Sequence, residues 1–425
     1  MTARSTKHDS RASVLIVGGG LIGLCCAYFL RARGTDVTIL EAGTVGGGAS
    51  RGNCGEIVPT FVTPLSTPGI VRASALSVFK SDSALFMHPQ MSPEMIRFLT
   101  RFVRSTRPRT FRQSVAALQS LSRDTFKLFE QMERDGVAVD RNTQGFLYTF
   151  RSLTAAQESL AAQKAITGIE AEILSGDEVR AMEPNLSANI VAGYLLNDQW
   201  SLDPSAFVDR LAERLRADSV CVIESARATS VQTDEHSVKV HTTRGTYEAT
   251  TCVVAAGVWS RDLCRSLGVD LDIVAGKGYS FNVDLAHPLT HTTQFADVHV
   301  VATPMGDQVR IAGMMELDRR REHFNPGRIR TIIAAARPYL SDVDWETVRN
   351  EWVGPRPMTG DGMPIIGPLP MRPRVIVAAG HNMHGLTLGP VTGRMVARLV
   401  TEPNAVAGAS PFDPSLNRRA RPWSR

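Results

Sequence analysis

The fold class of this 425-residue chain follows from the run Val14-Leu15-Ile16-Val17-Gly18-Gly19-Gly20-Leu21-Ile22-Gly23. Its four leading apolar residues predict a short, buried parallel strand. The glycines that follow at once fit the pattern G-x-G-x-x-G. Residues 24–33 then predict a helix and residues 37–40 a second strand, with Glu41 at its end. In such a unit Gly18 allows a tight turn, Gly20 a close backbone approach to a pyrophosphate, and Gly23 close packing of helix on strand.

This strand, turn, helix, strand and terminal acid together predict a dinucleotide site. The first N–H groups of the helix have no partner within the helix and favour phosphate charge. Glu41 is placed to accept hydrogen bonds from a ribose diol, which favours FAD or NAD over NADP. A purely structural glycine turn is the alternative. We favour the dinucleotide site because all five features occur in order.

Composition and charge exclude several classes of protein. The net charge is +5 and the isoelectric point is near 9.0, but the basic residues are dispersed except at the tail, at Arg418, Arg419, Arg421 and Arg425. We expect that tail to be a solvated end and expect no nucleic-acid partner. The six cysteines contain no C-x-x-C, so no metal site is predicted. Residues 1–12 lack an apolar segment and no run spans a bilayer, so a cytoplasmic location is expected.

Along the chain, residues 70–130 predict mainly helices, and several arginines make residues 101–112 basic. A solvated helix face is favoured there, and peripheral contact with the inner face of the cell membrane is the alternative. Residues 154–166 predict a helix with a cap at Thr154. Residues 275–345 are rich in strand patterns. The last part, with a strand at 375–379 and a helix at 391–400, returns to α/β patterning.

Several separated motifs resemble those of a known family. The motifs are Ser50-Arg51-Gly52-Asn53-Cys54-Gly55-Glu56-Ile57, residues 253–260, Lys277-Gly278-Tyr279-Ser280, residues 311–314, residues 354–367 and Gly380-His381-Asn382-Met383-His384-Gly385-Leu386-Thr387. On these motifs the chain resembles the D-amino-acid oxidase superfamily of FAD-dependent enzymes. The likeness is greatest to bacterial D-amino-acid dehydrogenases of the small-subunit type. Cys54 and residues 382–384 depart from the family pattern, which bears on the substrate and the electron acceptor.

The resemblance implies an α/β fold, with a Rossmann-like FAD-binding domain and an interleaved α+β substrate domain built on a mainly antiparallel sheet. The expected FAD-binding segments are 1–85, 191–270 and 349–425, and the expected substrate segments are 86–190 and 271–348. The expected cofactor is noncovalent FAD, since the His and Cys attachment motifs of covalent relatives are missing.

Both the glycine stretch and the resemblance assign residues to the site. The residues expected to bind the cofactor are Gly18, Gly19, Gly20, Leu21, Ile22, Gly23, Glu41, Ala42, Ser50, Asn53, Gly55, Ala228, Ala256, Gly257, Gly380, His384, Gly385, Leu386 and Thr387. Arg356 is the expected clamp for a substrate carboxylate, because a guanidinium offers a planar, bidentate fork. Tyr279 is a candidate for a second hydrogen bond to the substrate, and His381 for tuning the site. For either of these two, a structural role is the alternative.

The resemblance implies oxidative deamination of a D-amino acid to a 2-oxo acid and ammonia, with hydride transfer to flavin. The electrons would pass to a quinone or another carrier. The first alternative is an oxidase of glycine, sarcosine or a cyclic imino acid that reduces O₂ to hydrogen peroxide. The second is a flavin subunit of a larger electron-transfer complex. The third is an NAD-dependent dehydrogenase, which is less favoured because this sequence contains no second nucleotide-binding motif.

Overall fold

A computed structural model describes residues 13–71, 83–88, 92–403 and 410–417. The basic tail, residues 1–12, and positions 72–82 and 89–91 of the predicted helical region lie outside the described residues. The strands of the described part are β1 Ser13–Val17, β2 Asp36–Leu40, β3 Glu56–Ile57, β4 Leu85–Met87, β5 Arg141–Asn142, β6 Phe146–Phe150, β7 Leu174–Ser175, β8 Ala192–Leu196, β9 Trp200–Leu202, β10 Cys221–Ile223, β11 Ala228–Thr233, β12 Val238–Thr242, β13 Gly245–Ala249, β14 Thr251–Val254, β15 Val274–Leu285, β16 Thr292–Phe295, β17 Val300–Met305, β18 Gln308–Leu317, β19 Val343–Met358, β20 Ile365–Leu369 and β21 Arg372–Ala379.

Helices cover the sheets and connect their strands. In the described part the α-helices are α1 Leu21–Ala32, α2 Pro93–Ser105, α3 Pro108–Ser122, α4 Thr125–Arg134, α5 Leu153–Thr167, α6 Gly176–Met182, α7 Pro204–Ala217, α8 Ser260–Ser266, α9 Pro326–Ala336 and α10 Gly385–Thr401. None of them is both long and apolar enough to cross a membrane.

The first layer is a six-stranded sheet with the order β10-β2-β1-β14-β21-β20. Its first five strands are parallel, and β20 pairs antiparallel with β21. The strands are short and apolar because helices cover the sheet, as parallel sheets require. Val17 is in register with both Leu40 and Val254, so the carboxyl ends of these strands meet at one edge.

The second layer is a larger mixed sheet with the order β19-β15-β18-β17-β16-β6-β8-β7, in which β4 also pairs with β18. Most of its pairs are antiparallel, and β16/β6 and β4/β18 are parallel. A Rossmann-like sheet combined with this mainly antiparallel sheet confirms the predicted fold class.

Three local predictions need correction. The helix predicted at 154–166 begins at Leu153, and Ser152 rather than Thr154 caps it by accepting a hydrogen bond from the backbone of Ala155. Residues 70–130 are not helical throughout, because Leu85–Met87 forms a strand beside β18. The helix predicted at 391–400 begins earlier, at Gly385, and ends at Thr401.

Helices α1 and α10 pack closely against each other and begin at the same cavity. A methyl group at Gly393 would lie 2.5 Å from the carbonyl oxygen of Cys25, so only a glycine allows this approach. Cys25 and Cys26 are fully buried free thiols, and burial raises the pKa of both. Both cysteines are packing residues. The close contact between Gly393 and Cys25 holds α1 and α10 together, with the N-termini of both helices at the cavity.

The division into two domains stays a proposal. The strands of the six-stranded sheet come from residues 13–40, 221–254 and 365–379, and those of the larger sheet from 85–87, 146–196 and 274–358. We therefore propose the interleaved division given above, with β19 running across its boundary at residues 348 and 349.

Candidate active site

A cavity of about 970 Å³ lies between the two layers. One end is formed by the turn between β1 and α1, the segment that follows β2, and the ends of β14 and β21. The other end is formed by the loop before β3 and by β6, β16 and β19. The cavity is therefore long, with a glycine-lined end and an end lined by larger side chains.

The glycine turn has the geometry that its sequence predicts. Gly18 has φ +110°, and a methyl group there would lie 2.5 Å from the carbonyl oxygen of Ala255. A methyl group at Gly23 would lie 1.9 Å from the carbonyl oxygen of Gly18. Both positions therefore require glycine, and the turn brings the first residues of α1 to the cavity.

Two side chains hold the backbone at this end. Glu41 accepts hydrogen bonds from the backbone N–H groups of Gly19 at 2.7 Å and Gly43 at 2.8 Å. Ser50 Oγ accepts one from the N–H of Leu21 at 3.0 Å. A carboxylate beside a glycine-lined helix N-terminus is the donor and acceptor set that a ribose and a pyrophosphate need. The residues present therefore fit the predicted FAD.

The turn after β21 presents the N-terminus of α10 to the same cavity. Asn382 has φ +53°, a conformation that asparagine tolerates better than most residues. Its side chain accepts a hydrogen bond from the N–H of Thr359 at 2.9 Å and donates one to the carbonyl oxygen of Gly380 at 2.7 Å. Its own N–H donates to Pro357 at 3.1 Å. The asparagine that departs from the family pattern thus ties the turn to the end of β19.

His381 and His384 are both held neutral beside this turn. Burial lowers the pKa of His381 to about 3, and the neighbouring His384 adds to the effect. His381 Nε2 lies 2.9 Å from the hydroxyl of Thr392. Burial also lowers the pKa of His384, whose Nε2–H donates to the carbonyl oxygen of Thr63 at 3.0 Å. His381 Nδ1 has no hydrogen-bond partner in the described part of the chain, and His381 lines the cavity.

Arg356 projects into the cavity from β19. Its Nη1 donates to the carbonyl oxygen of Met314 at 3.1 Å. The guanidinium lies over Gly278, where a methyl group would be 2.1 Å from Cζ. Burial lowers the pKa of the guanidinium, and the charges of Cys54 and Glu56 oppose that shift. Among the described residues, no carboxylate oxygen lies within 4.0 Å of the guanidinium. Arg356 is therefore a cation that faces the cavity without an ion-pair partner among the described residues.

Tyr279 does not reach the cavity, which corrects the prediction that it contacts substrate. Successive side chains of a strand point to opposite faces. Arg356 pairs across the sheet with Gly276, and Gly354 with Gly278, so this face of β15 is the cavity face. Tyr279 points to the other face, is fully buried, and donates its hydroxyl hydrogen bond to Glu316.

Four further residues at the cavity were not given a role by the sequence. Burial raises the pKa of the Glu56 carboxyl, which accepts a hydrogen bond from Gln294. Burial also raises the pKa of Tyr148, so its phenol stays protonated. The ring of Trp352 fills the space beside Gly52 and Gly354. A methyl group at Gly52 would lie 2.1 Å from the ring. Glu56 belongs to the motif at residues 50–57. Tyr148, Gln294 and Trp352 lie outside the motifs named above and reach the cavity on separate strands, so no sequence pattern identifies them.

The structure also separates the predicted cofactor residues into two groups. Those that line the cavity are Gly18, Gly20, Leu21, Ile22, Glu41, Ala42, Ser50, Asn53, Ala228, Ala256, Gly257, His384, Gly385, Leu386 and Thr387. Those behind the lining are Gly19, Gly23, Gly55 and Gly380. The second group shapes the backbone; at Gly55, for example, a methyl would lie 2.2 Å from the carbonyl oxygen of Leu202.

Comparison with known proteins agrees with this geometry. A family model described as FAD dependent oxidoreductase (DAO) matches residues 13–399. A D-amino acid dehydrogenase of Rhizorhabdus wittichii is 29% identical over 404 residues, which cover 91% of this chain and 95% of the relative. A D-amino acid dehydrogenase of Helicobacter pylori is 25% identical over 393 residues, covering 92% of this chain and 95% of the relative.

Solved structures with the same fold include a glycine oxidase from Geobacillus kaustophilus. It superposes with a TM-score of 0.72 at 23% sequence identity and covers 97% of this chain and 99% of its own. L-proline dehydrogenase from P. horikoshii superposes with a TM-score of 0.67 at 16% identity, covering 95% of this chain and 97% of its own. At these identities the likeness concerns the fold.

Proposed function

Because this chain belongs to the DAO family of FAD-dependent oxidoreductases, we propose that it oxidises a D-amino acid to an imino acid, which water converts to a 2-oxo acid and ammonia. The observation that carries the proposal is the Arg356 guanidinium, which faces the cavity without an ion-pair partner among the described residues. The names of the relatives at 25–29% identity support the D configuration.

The glycine-lined end of the cavity would hold FAD. The N-termini of α1 and α10, the Glu41 carboxylate and the Ala256-Gly257 turn are the groups that line it. When bound, FAD supplies the acceptor for the two electrons of the oxidation. We propose that it is held without a covalent bond, so denaturation with acid should release free FAD into the supernatant.

At the other end, this chain's residues bind and orient the substrate. A guanidinium can hold a carboxylate through two parallel charge-assisted hydrogen bonds. Trp352 and Tyr148 would form walls that exclude water and limit the side chains that fit. Binding in one orientation supplies much of the rate in a reaction of this kind, because the reacting carbon must be held at a fixed place.

For the electron acceptor we propose a quinone or another carrier at a membrane surface. Helix α2 exposes Ile96 and Val103, and the exposed Arg104 and Arg107 lie at its end. Apolar side chains beside unpaired cations suit an anionic lipid surface. Sedimentation with vesicles of anionic lipid should carry the protein down, vesicles of zwitterionic lipid should not, and an Ile96→Ser/Val103→Ser variant should weaken the binding.

The test of the proposed reaction is anaerobic mixing of the FAD-loaded protein with D- and L-amino acids, glycine, sarcosine and proline. Loss of the oxidised flavin absorbance with D-amino acids alone is the expected result. Admitting air then separates the proposed dehydrogenase from an oxidase, since an oxidase would form hydrogen peroxide rapidly. An Arg356→Met variant should keep FAD and lose the reaction. A protein that no amino acid reduces would refute the proposal.

A further inference from the structure

Glu56 and Arg356 are two opposite charges that line one cavity without forming an ion pair. Both line the cavity, and no oxygen of Glu56 lies within 4.0 Å of the guanidinium, yet each charge acts on the pKa of the other. A buried charge without a partner is costly, so such groups are ordinarily paired. Two complementary charges held apart across a cavity instead suit a ligand that carries both charges.

Glu56 is held in place by contacts that leave its carboxylate on the cavity. Its backbone pairs with Ser201 of β9, and its carbonyl oxygen accepts a hydrogen bond from the hydroxyl of Thr387 at 3.3 Å. Gln294 donates to Oε1, and the Cys54 thiol also donates to the carboxylate. A carboxylate has about four acceptor positions, so positions remain for a donor from a ligand.

An amino acid in its ordinary form is a zwitterion. Its carboxylate matches Arg356 in the proposed function, and its ammonium group needs acceptors in the same cavity. We propose that the Glu56 carboxylate is the binding partner of the substrate ammonium group. This inference rests on the proposed function and adds a second anchor, so that the two anchors together fix the orientation of the reacting carbon.

The remaining groups around Glu56 do not compete for this role. Burial raises the pKa of the Cys54 thiol and of the Tyr148 phenol, so both stay neutral. Gln294 is a neutral amide. The Glu56 carboxyl is therefore the acid at this end that can compensate a cation: burial raises its pKa, while hydrogen bonds from Cys54 and Gln294 and the Arg356 charge oppose that shift.

The experiment uses two ligands of nearly the same shape that cannot be oxidised. In 2-aminoisobutyrate an ammonium group stands where pivalate has a methyl group, and neither has a hydrogen on the carbon next to the carboxylate. Binding to the FAD-loaded protein is measured by titration calorimetry for the wild type, Glu56→Gln, Glu56→Asp and Arg356→Met. FAD content and far-ultraviolet circular dichroism confirm that each variant is folded and loaded.

The Glu56→Gln variant should bind 2-aminoisobutyrate about 10- to 150-fold more weakly, since the ion pair with the ammonium group is replaced by a hydrogen bond to a neutral amide. It should bind pivalate as well as the wild type does or more tightly, because a repelling charge has gone. Glu56→Asp, which keeps the charge, should recover part of the affinity. Arg356→Met should weaken both ligands.

Equal effects of Glu56→Gln on the two ligands would overturn the assignment. So would a loss confined to ligands with a second amino group, such as 2,4-diaminobutyrate, because Glu56 would then contact the substrate side chain. A wild type that binds neither ligand and is reduced by no amino acid would refute the proposed function itself. If amino acids reduce the flavin of the wild type, but Glu56→Gln changes the affinity for both ligands equally, then only the role of Glu56 is refuted.

Discussion

Gly278→Ala should displace the Arg356 guanidinium while leaving the protein folded and loaded with FAD. The added methyl would lie 2.1 Å from Cζ and 2.2 Å from both terminal nitrogens, and ordinary contact begins at 3.4 Å, so the guanidinium must move by about 1.3 Å. The atoms in the way are the far end of a flexible side chain. The arginine therefore moves and the strand stays paired.

The expected cost follows from the lost alignment. A shift of about 1.3 Å breaks at least one of the two parallel hydrogen bonds to a carboxylate. A hydrogen bond to a charged group contributes about 1.5–3 kcal/mol, which corresponds to about a 10- to 150-fold weaker affinity. Pivalate and 2-aminoisobutyrate should lose affinity together, because both present the same carboxylate.

The assay is titration of these ligands into the FAD-loaded variant, with the wild type and Gly276→Ala beside it. The control lies two residues away on the same face of β15, and its added methyl meets Met315 and Met358 instead of the guanidinium. It should lose stability but retain more carboxylate affinity than Gly278→Ala. If Gly278→Ala is folded, carries FAD and binds pivalate with wild-type affinity, Arg356 is not the carboxylate clamp.

Three further predictions concern the cofactor, the pH dependence and the buried charges. Gly23→Ala places a methyl 1.9 Å from a backbone oxygen of the turn, so the purified variant should contain little FAD, as the ratio of flavin to protein absorbance will show. His381 is neutral in the folded protein, because burial lowers its pKa from 6.5 to about 3. Below pH 6.5 the unfolded chain therefore binds more protons than the folded protein, and the free energy of unfolding decreases as the pH is lowered. Its share of that loss between pH 7 and 5 is about 2 kcal/mol, and urea unfolding at the two pH values should show a smaller loss in His381→Gln. Lys277 is fully buried between two buried acids at 3.0 and 3.3 Å, so Lys277→Met should lower the free energy of unfolding by about 3–5 kcal/mol. As a control, Lys239→Met removes the exposed ion pair of Lys239 with Glu248. It should lower the free energy of unfolding by less than about 1 kcal/mol.

The cofactor end of the site could be predicted because its determinants are local. Gly18, Gly23 and Glu41 occur within one strand-turn-helix-strand unit, and each is required by a contact inside that unit. Backbone sterics and helix termini act over a few residues, so they leave a pattern in the order of the amino acids. The fold class followed from the same unit and from the separated motifs that resemble the family.

The other end of the cavity, where we propose that the substrate binds, was decided by the tertiary structure. Glu56, Tyr148, Gln294 and Arg356 come from four separate segments, and strand order and register alone bring them to one cavity. The error at Tyr279 has the same origin, since neighbours on a strand face opposite sides and the sequence did not show which side met the cavity. Local chemistry therefore determined the glycine-lined end of the cavity, and the pairing of distant strands determined which charges line its other end.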